Sequence, residues 1–150
     1  MLKATFLLAA LFAVNTEYTI EAANLTATNN YELSQVTASF LQAWAYCNNR
    51  DQQFVSLPSL AQHNALASYL SDAATPTLSV WVGGLYLSTG VYSQWLWVDG
   101  EEAFNWSYFT SSTIKSDDTC IVYNYNANTK SGSWSTDYCS NKRYFVCLNA

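Results

Sequence analysis

CIVYNYNANTKSGSWSTDYCSNKRYFVC, residues 120 to 147, holds three of the chain's four cysteines and a tryptophan, Trp134, five positions before Cys139. Its apolar and polar residues predict a strand over 120–125, a turn over 126–131, a short strand over 133–138 and a last strand over 143–148. The upstream chain must pack against this segment or be tied to it.

The fourth cysteine is Cys47. An even count in a chain with a leader reads as two disulfides, for which spacing alone leaves three pairings open. No C-x-x-C pair is present and the single histidine is distant in sequence, so a structural zinc site is not expected. Lys3 precedes an apolar run over 4–14, shorter than the about 20 residues that cross a bilayer. It reads as a secretory signal. The expected layout is a signal peptide and lead-in over 1–23, cleaved somewhere in 13–23, a flexible polar segment over 24–30, and one domain over 31–150.

Charged residues are 11% of the chain against about 25% in ordinary domains. Aromatic residues are 16%, and the net charge is −5. No basic cluster courts nucleic acid or anionic lipid. A neutral partner such as a sugar, or a protein surface, suits this composition better. Asn24-Leu25-Thr26 and Asn105-Trp106-Ser107 are glycosylation sequons.

Phe40, Ala43, Trp44 and Cys47 fall on one face of a helix, with Thr37 as its cap and Asn48-Asn49 as its stop. Ser59 to Ser71 predicts a second helix, with Ser59 and Gln62 forming a capping box and Leu66, Tyr69 and Leu70 its apolar side. His63, in its first turn, reads as a surface or capping residue. Strands are predicted over 77–87 and 94–98. Residues 107–119 show no period and form a long loop. Helices first and short strands after is an α+β pattern.

Tyr31, Gln42-Ala43-Trp44-Ala45-Tyr46-Cys47, Trp81-Val82-Gly83-Gly84-Leu85, Trp97-Val98-Asp99-Gly100, Asn105-Trp106, Cys120, Trp134, Cys139 and Cys147 occur in an order that resembles the C-type lectin-like domain family. The chain looks most like its short, secreted insect members. The resemblance covers about residues 31 to 149. It implies two helices, two small antiparallel sheets and a long loop region. It also implies the pairings Cys47–Cys147 and Cys120–Cys139.

In sugar-binding members of that family, calcium is held by a Glu-Pro-Asn or Gln-Pro-Asp triplet and a Trp-Asn-Asp triplet. The first falls on Thr110-Ser111-Ser112, four positions after Trp106, and the second on Trp134-Ser135-Thr136. A further family carboxylate falls on Asp118. One carboxylate and four hydroxyls are a poor match for an ion that takes six to eight oxygens. Calcium binding is expected to be weak or absent. Asp99, Glu101, Glu102, Asp117, Asp118 and Asp137 read as solvated loop carboxylates, with Asp117, Asp118 and Asp137 the alternative metal set.

The resemblance also gathers Tyr108, Phe109, Tyr123, Tyr125 and Trp134 in one region, where rings could stack on a sugar. Trp81, Trp97, Trp106 and Trp134 are expected in the core, and Tyr108 and Phe109 in the exposed loop. The candidate ligand-binding residues are Tyr108, Phe109, Thr110, Ser112, Asp118, Ser135 and Thr136. No arrangement of nucleophile and base suggests an enzyme. The expectation is a secreted carbohydrate-recognition-type module, the alternative an extracellular protein-binding or structural one.

Overall fold

The computed structural model describes residues 30–100, 103–110, 113 and 115–149. The expected signal peptide, Asn24, Glu101, Glu102, Ser111 and Ser112 lie outside the described residues.

The elements run β1 (Tyr31–Leu33), α1 (Phe40–Asn48), β2 (Gln52–Phe54), α2 (Leu60–Asp72), β3 (Leu78–Ser88), β4 (Ser93–Trp97), β5 (Thr119–Asn126), β6 (Ser131–Tyr138) and β7 (Tyr144–Asn149). β7 pairs antiparallel with β1 and β2, and β3, β4, β5 and β6 form a second antiparallel group. A short parallel seam, Val80 with Tyr144 and Trp81 with Phe145, joins the two groups. The two expected small sheets are thus edges of one continuous mixed sheet.

β3 and β5 are buried on both faces, because a helix covers each side and alternate residues point to opposite faces. Val80, Val82, Ile121 and Tyr123 pack with Leu66, Ala67 and Leu70 of α2. Trp81, Cys120 and Val122 pack with Phe40, Ala43 and Cys47 of α1.

The α1 cap is Ser39, not Thr37. Ser39 Oγ accepts from the Gln42 amide at 3.4 Å, and Gln42 Oε1 accepts from the Ser39 amide at 3.1 Å. This reciprocal pair satisfies two otherwise orphaned donors, which a residue two positions earlier cannot reach. Trp44 leaves the buried face of α1. It is 38% exposed, and its indole N–H donates to Asp99 Oδ1 at 2.5 Å. The Phe54 amide donates to Asp99 Oδ2 at 2.6 Å. Asp99 is therefore a tie between α1, β2 and the start of the long loop, not a solvated carboxylate. At α2, Ser59 Oγ accepts from the Gln62 amide at 3.4 Å, and the Gln62 side chain meets the Ser59 hydroxyl.

Cys47 is bonded to Cys147 and Cys120 to Cys139, across 100 and 19 residues of sequence. The first bridge ties α1 to β7, and the second closes the outer end of the β5–β6 ladder.

Candidate functional site

The site region begins on α2. His63, Leu66, Ala67 and Leu70 are its buried residues, spaced as one helical stripe. His63 is 3% exposed, which corrects the reading of it as a surface residue. The histidine heads the inward stripe, and that spacing was the signal in the sequence that could have found it.

β5 and β6 lie over this histidine. The Tyr123 hydroxyl donates to the His63 carbonyl at 3.1 Å, and the Trp134 indole N–H donates to His63 Nδ1 at 3.1 Å. Tyr123 reaches that far because its cross-strand neighbourhood holds Gly132, where a Cβ would stand 2.0 Å from the phenol ring. Tyr123 and Tyr125 are both buried, so they belong to the core and not to an exposed ring cluster. Burial pushes the Tyr123 phenol far above its usual range. Burial also lowers the His63 pKa below its ordinary 6.5, outweighing a backbone hydrogen bond to Gly132 that favours the cation.

Trp134 organises the loop that follows β4. Its ring meets those of Trp97, Phe104, Trp106 and Phe109 at 5.3–6.3 Å. Its amide donates to the Tyr108 carbonyl at 3.1 Å, and its carbonyl accepts from the Thr110 amide at 3.4 Å. The loop is thereby laid along the outer edge of β6, with Phe109 bridging to Trp134. Backbone polar groups of an irregular segment need such partners when they approach a core.

This arrangement separates the expected ligand residues. Tyr108 is 42% exposed and stacks on the half-buried Trp106, with centroids 5.8 Å apart and planes 23° apart. Thr110 is exposed beside it. Phe109 turns inward, against Trp95 and Trp134 at 5.5 Å each. It is a packing residue more than an exposed contact.

Ser135 follows Trp134 on the strand and points to the opposite face. Its Oγ accepts from Asn124 Nδ2 at 2.8 Å, and Asn124 Oδ1 in turn accepts from the Ser79 hydroxyl at 2.6 Å. Thr136 is half-buried opposite Ile121. Asp118 is exposed, three residues of strand, about 10 Å, from that level. It lines a separate cleft with Ser39, Leu41, Gln42, Cys139 and Lys142.

The described members of the set, Thr110, Asp118, Ser135 and Thr136, do not fit a calcium ion. The carboxylate stands apart from the hydroxyls, and the Ser135 hydroxyl is taken by Asn124. Neutral hydroxyls do little to offset dehydration of a divalent cation. The alternative set fails as well, because Asp137 is engaged. It pairs with Arg143 and accepts from Asn141 Nδ2 at 2.9 Å and from the Tyr138 amide at 2.8 Å. Partial burial raises its pKa, but these hydrogen bonds and the Arg143 charge lower it by more. Among the described residues, no group of three or more His, Cys, Asp or Glu side chains could hold a metal.

Residues 36–149 match the family model described as the lectin C-type domain. The chain is 26% identical to E-selectin of Sus scrofa over 126 residues, which are 81% of this chain and 25% of that protein. It spans between a fifth and a quarter of the length of the curated relatives it matches. Among solved structures, human lithostathine superposes with a TM-score of 0.62 at 23% identity, covering 79% of this chain and 81% of that one. The C-type lectin domain of murine dendritic cell inhibitory receptor 2, in complex with N-glycan, superposes at 0.59 with 18% identity, covering 78% and 87%.

Proposed function

The chain belongs to the lectin C-type domain family, and on that premise we propose that it is a secreted, calcium-independent carbohydrate-recognition module. The ligand sits on the ring face of Tyr108. The observation that carries this reading is the stacked pair of Tyr108 and Trp106, with Tyr108 exposed in the loop where the family's first triplet falls. An aromatic face takes the apolar face of a pyranose, as it takes other apolar surfaces. Thr110, exposed two residues further along the same segment, is available to meet hydroxyl groups. A ring already stacked on its neighbour is preorganised, which lowers the ordering cost of binding. The N-glycan held by the murine neighbour supports a glycan as the partner class.

Secretion through the leader, and sugar attachment at Asn24 and Asn105, belong to the same reading. Two disulfides suit an oxidising compartment. The module binds and does not catalyse.

A second reading, an extracellular protein-binding module, is favoured by a different surface. At the β3–β4 hairpin tip Val91 is fully exposed, Tyr92 is mostly exposed and Leu87 is partly exposed. Apolar residues grouped in this way mark protein contacts.

A glycan array read with and without EDTA tests the first reading. Hits that ignore EDTA and vanish in Tyr108→Ala are expected. Calcium-dependent hits would overturn calcium independence. An array without hits would remove the glycan reading and leave the hairpin tip.

A further inference from the structure

His63 is the only histidine in the chain, and it lies enclosed directly beneath the loop segment 106–110. Its ring stands 4.4 Å from that of Tyr108, 5.9 Å from Trp106 and 6.2 Å from Trp134. Nδ1 accepts a hydrogen bond from the Trp134 indole, and such a bond exists only while Nδ1 carries no proton. Trp134 in turn holds the segment through its own backbone, at the Tyr108 carbonyl and the Thr110 amide.

We propose that His63 is a protonation-controlled latch: the neutral ring keeps the Trp106–Thr110 segment seated on β6, and protonation in acid releases it. An imidazolium would set an N–H against the Trp134 N–H at 3.1 Å, two donors facing each other with no acceptor between them. The indole must turn away or the histidine must leave. Either movement breaks ring contacts that seat the segment, those of Trp134 with Trp106 and Phe109 or those of His63 with Trp106 and Tyr108, and leaves it on its two backbone bonds to Trp134.

The groups facing His63 do not relieve this. From β5 it meets the Tyr123 phenol, from β6 the Trp134 ring and the Gly132 backbone, and from the loop the rings of Trp106 and Tyr108. The other titratable members of that set are the phenols of Tyr123 and Tyr108. No carboxylate appears among these contacts to stabilise the cation. Ring faces attract an imidazolium, but only after it has given up its water, and burial opposes that step. Burial accordingly lowers the His63 pKa below 6.5.

The segment yields before the ladder does. β5 and β6 pair continuously from Thr119–Tyr138 to Asn126–Ser131 and are closed by the Cys120–Cys139 bridge. Among the described residues, the backbone of the segment pairs with β6 at Trp134 alone. Weakly tied segments open locally at free energies well under that of global unfolding. The consequence for ligand capture rests on the Tyr108 reading above: a released segment no longer presents Tyr108 stacked on Trp106. The latch itself concerns only the loop.

The test is nuclear magnetic resonance of the whole mature protein between roughly pH 7.5 and pH 5, the window in which histidine titrates. With a single histidine, the ring Cε1 proton reports one site. Three results are expected: a titration midpoint below 6.5, a Trp134 indole resonance that moves with the same midpoint, and faster amide exchange at Thr110 and Trp134. After correction for intrinsic pH dependence, those amides should gain about tenfold over the β5–β6 ladder. His63→Asn, which keeps an acceptor near the Nδ1 position and does not titrate, should remove the response. Titration of His63 with no change at Thr110 and Trp134 would overturn the latch, as would an unchanged response in the Asn variant. If that variant does not fold, the wild-type titration decides alone. Neither readout uses a glycan, so failure of the latch and failure of the glycan reading are told apart.

Discussion

The indole N–H of Trp134 donates to Nδ1 of His63 at 3.1 Å, and this one hydrogen bond joins the first turn of α2 to the edge strand that carries the long loop. Two buried polar groups, either costly to leave alone, satisfy each other. Trp134 is thus more than a large core ring. It is the point through which a helix, a strand and an irregular loop are made consistent.

Trp134→Phe keeps most of the ring packing and removes the N–H. It should destabilise the domain by roughly 1–3 kcal/mol, the cost of an unsatisfied buried acceptor plus lost packing. Urea denaturation checks this, and an unchanged midpoint would mean that His63 finds another donor.

Stability should fall in acid in two steps. The folded His63 binds its proton less readily than an unfolded histidine of pKa 6.5, so the unfolded chain gains protons first. Its contribution is complete above about pH 6.5 and declines as the pH falls below that. The folded Asp137 has a pKa below the unfolded value of 3.8, so its contribution is present above 3.8 and is lost as the pH falls through its folded value. Thermal melts across the range should show the upper step in wild type and not in His63→Asn, and the lower step should shrink in Arg143→Ala. A melting temperature constant from neutral pH through 5 would contradict the first.

Asp99→Asn should cost roughly 2 kcal/mol, because one carboxylate accepts from both the Trp44 indole and the Phe54 amide and an amide can serve only one of them as an acceptor. A denaturant midpoint within error of wild type would show that the tie is dispensable.

The disulfides should differ in worth. Opening Cys47–Cys147, which spans 100 residues, is expected to cost about 4–5 kcal/mol, and opening Cys120–Cys139, which spans 19, about 3 kcal/mol. Paired Cys→Ala variants compared in urea give the order. Equal losses would show that residual structure in the unfolded chain, and not loop length, sets the values.

Much of the fold was legible from residues 120 to 147 and their motifs upstream. Alternation placed the strands, the 3.6-residue period placed the helices, and four cysteines in family order implied the two bridges that the structure contains. The candidate site was less legible. Thr110, Ser135 and Asp118 share an expected ligand set in the sequence, yet Ser135 points to the opposite sheet face from Trp134 and Asp118 lines another cleft. Position along a strand fixes which face a side chain takes only after neighbouring strands and loops decide which face is open.

The sequence by itself determined the two helices and the strands from β3 onward, the disulfide framework's cysteines and the loss of the carboxylates a divalent ion requires, because each depends on residue type and local spacing. Tertiary structure alone decided that His63 is buried, that Trp134 holds it, that Phe109 turns inward while Tyr108 stays exposed, and that Asp99 is a tie. These facts come from contacts between residues up to 71 positions apart, where burial and a partner's geometry, and not the local pattern, set what a side chain does.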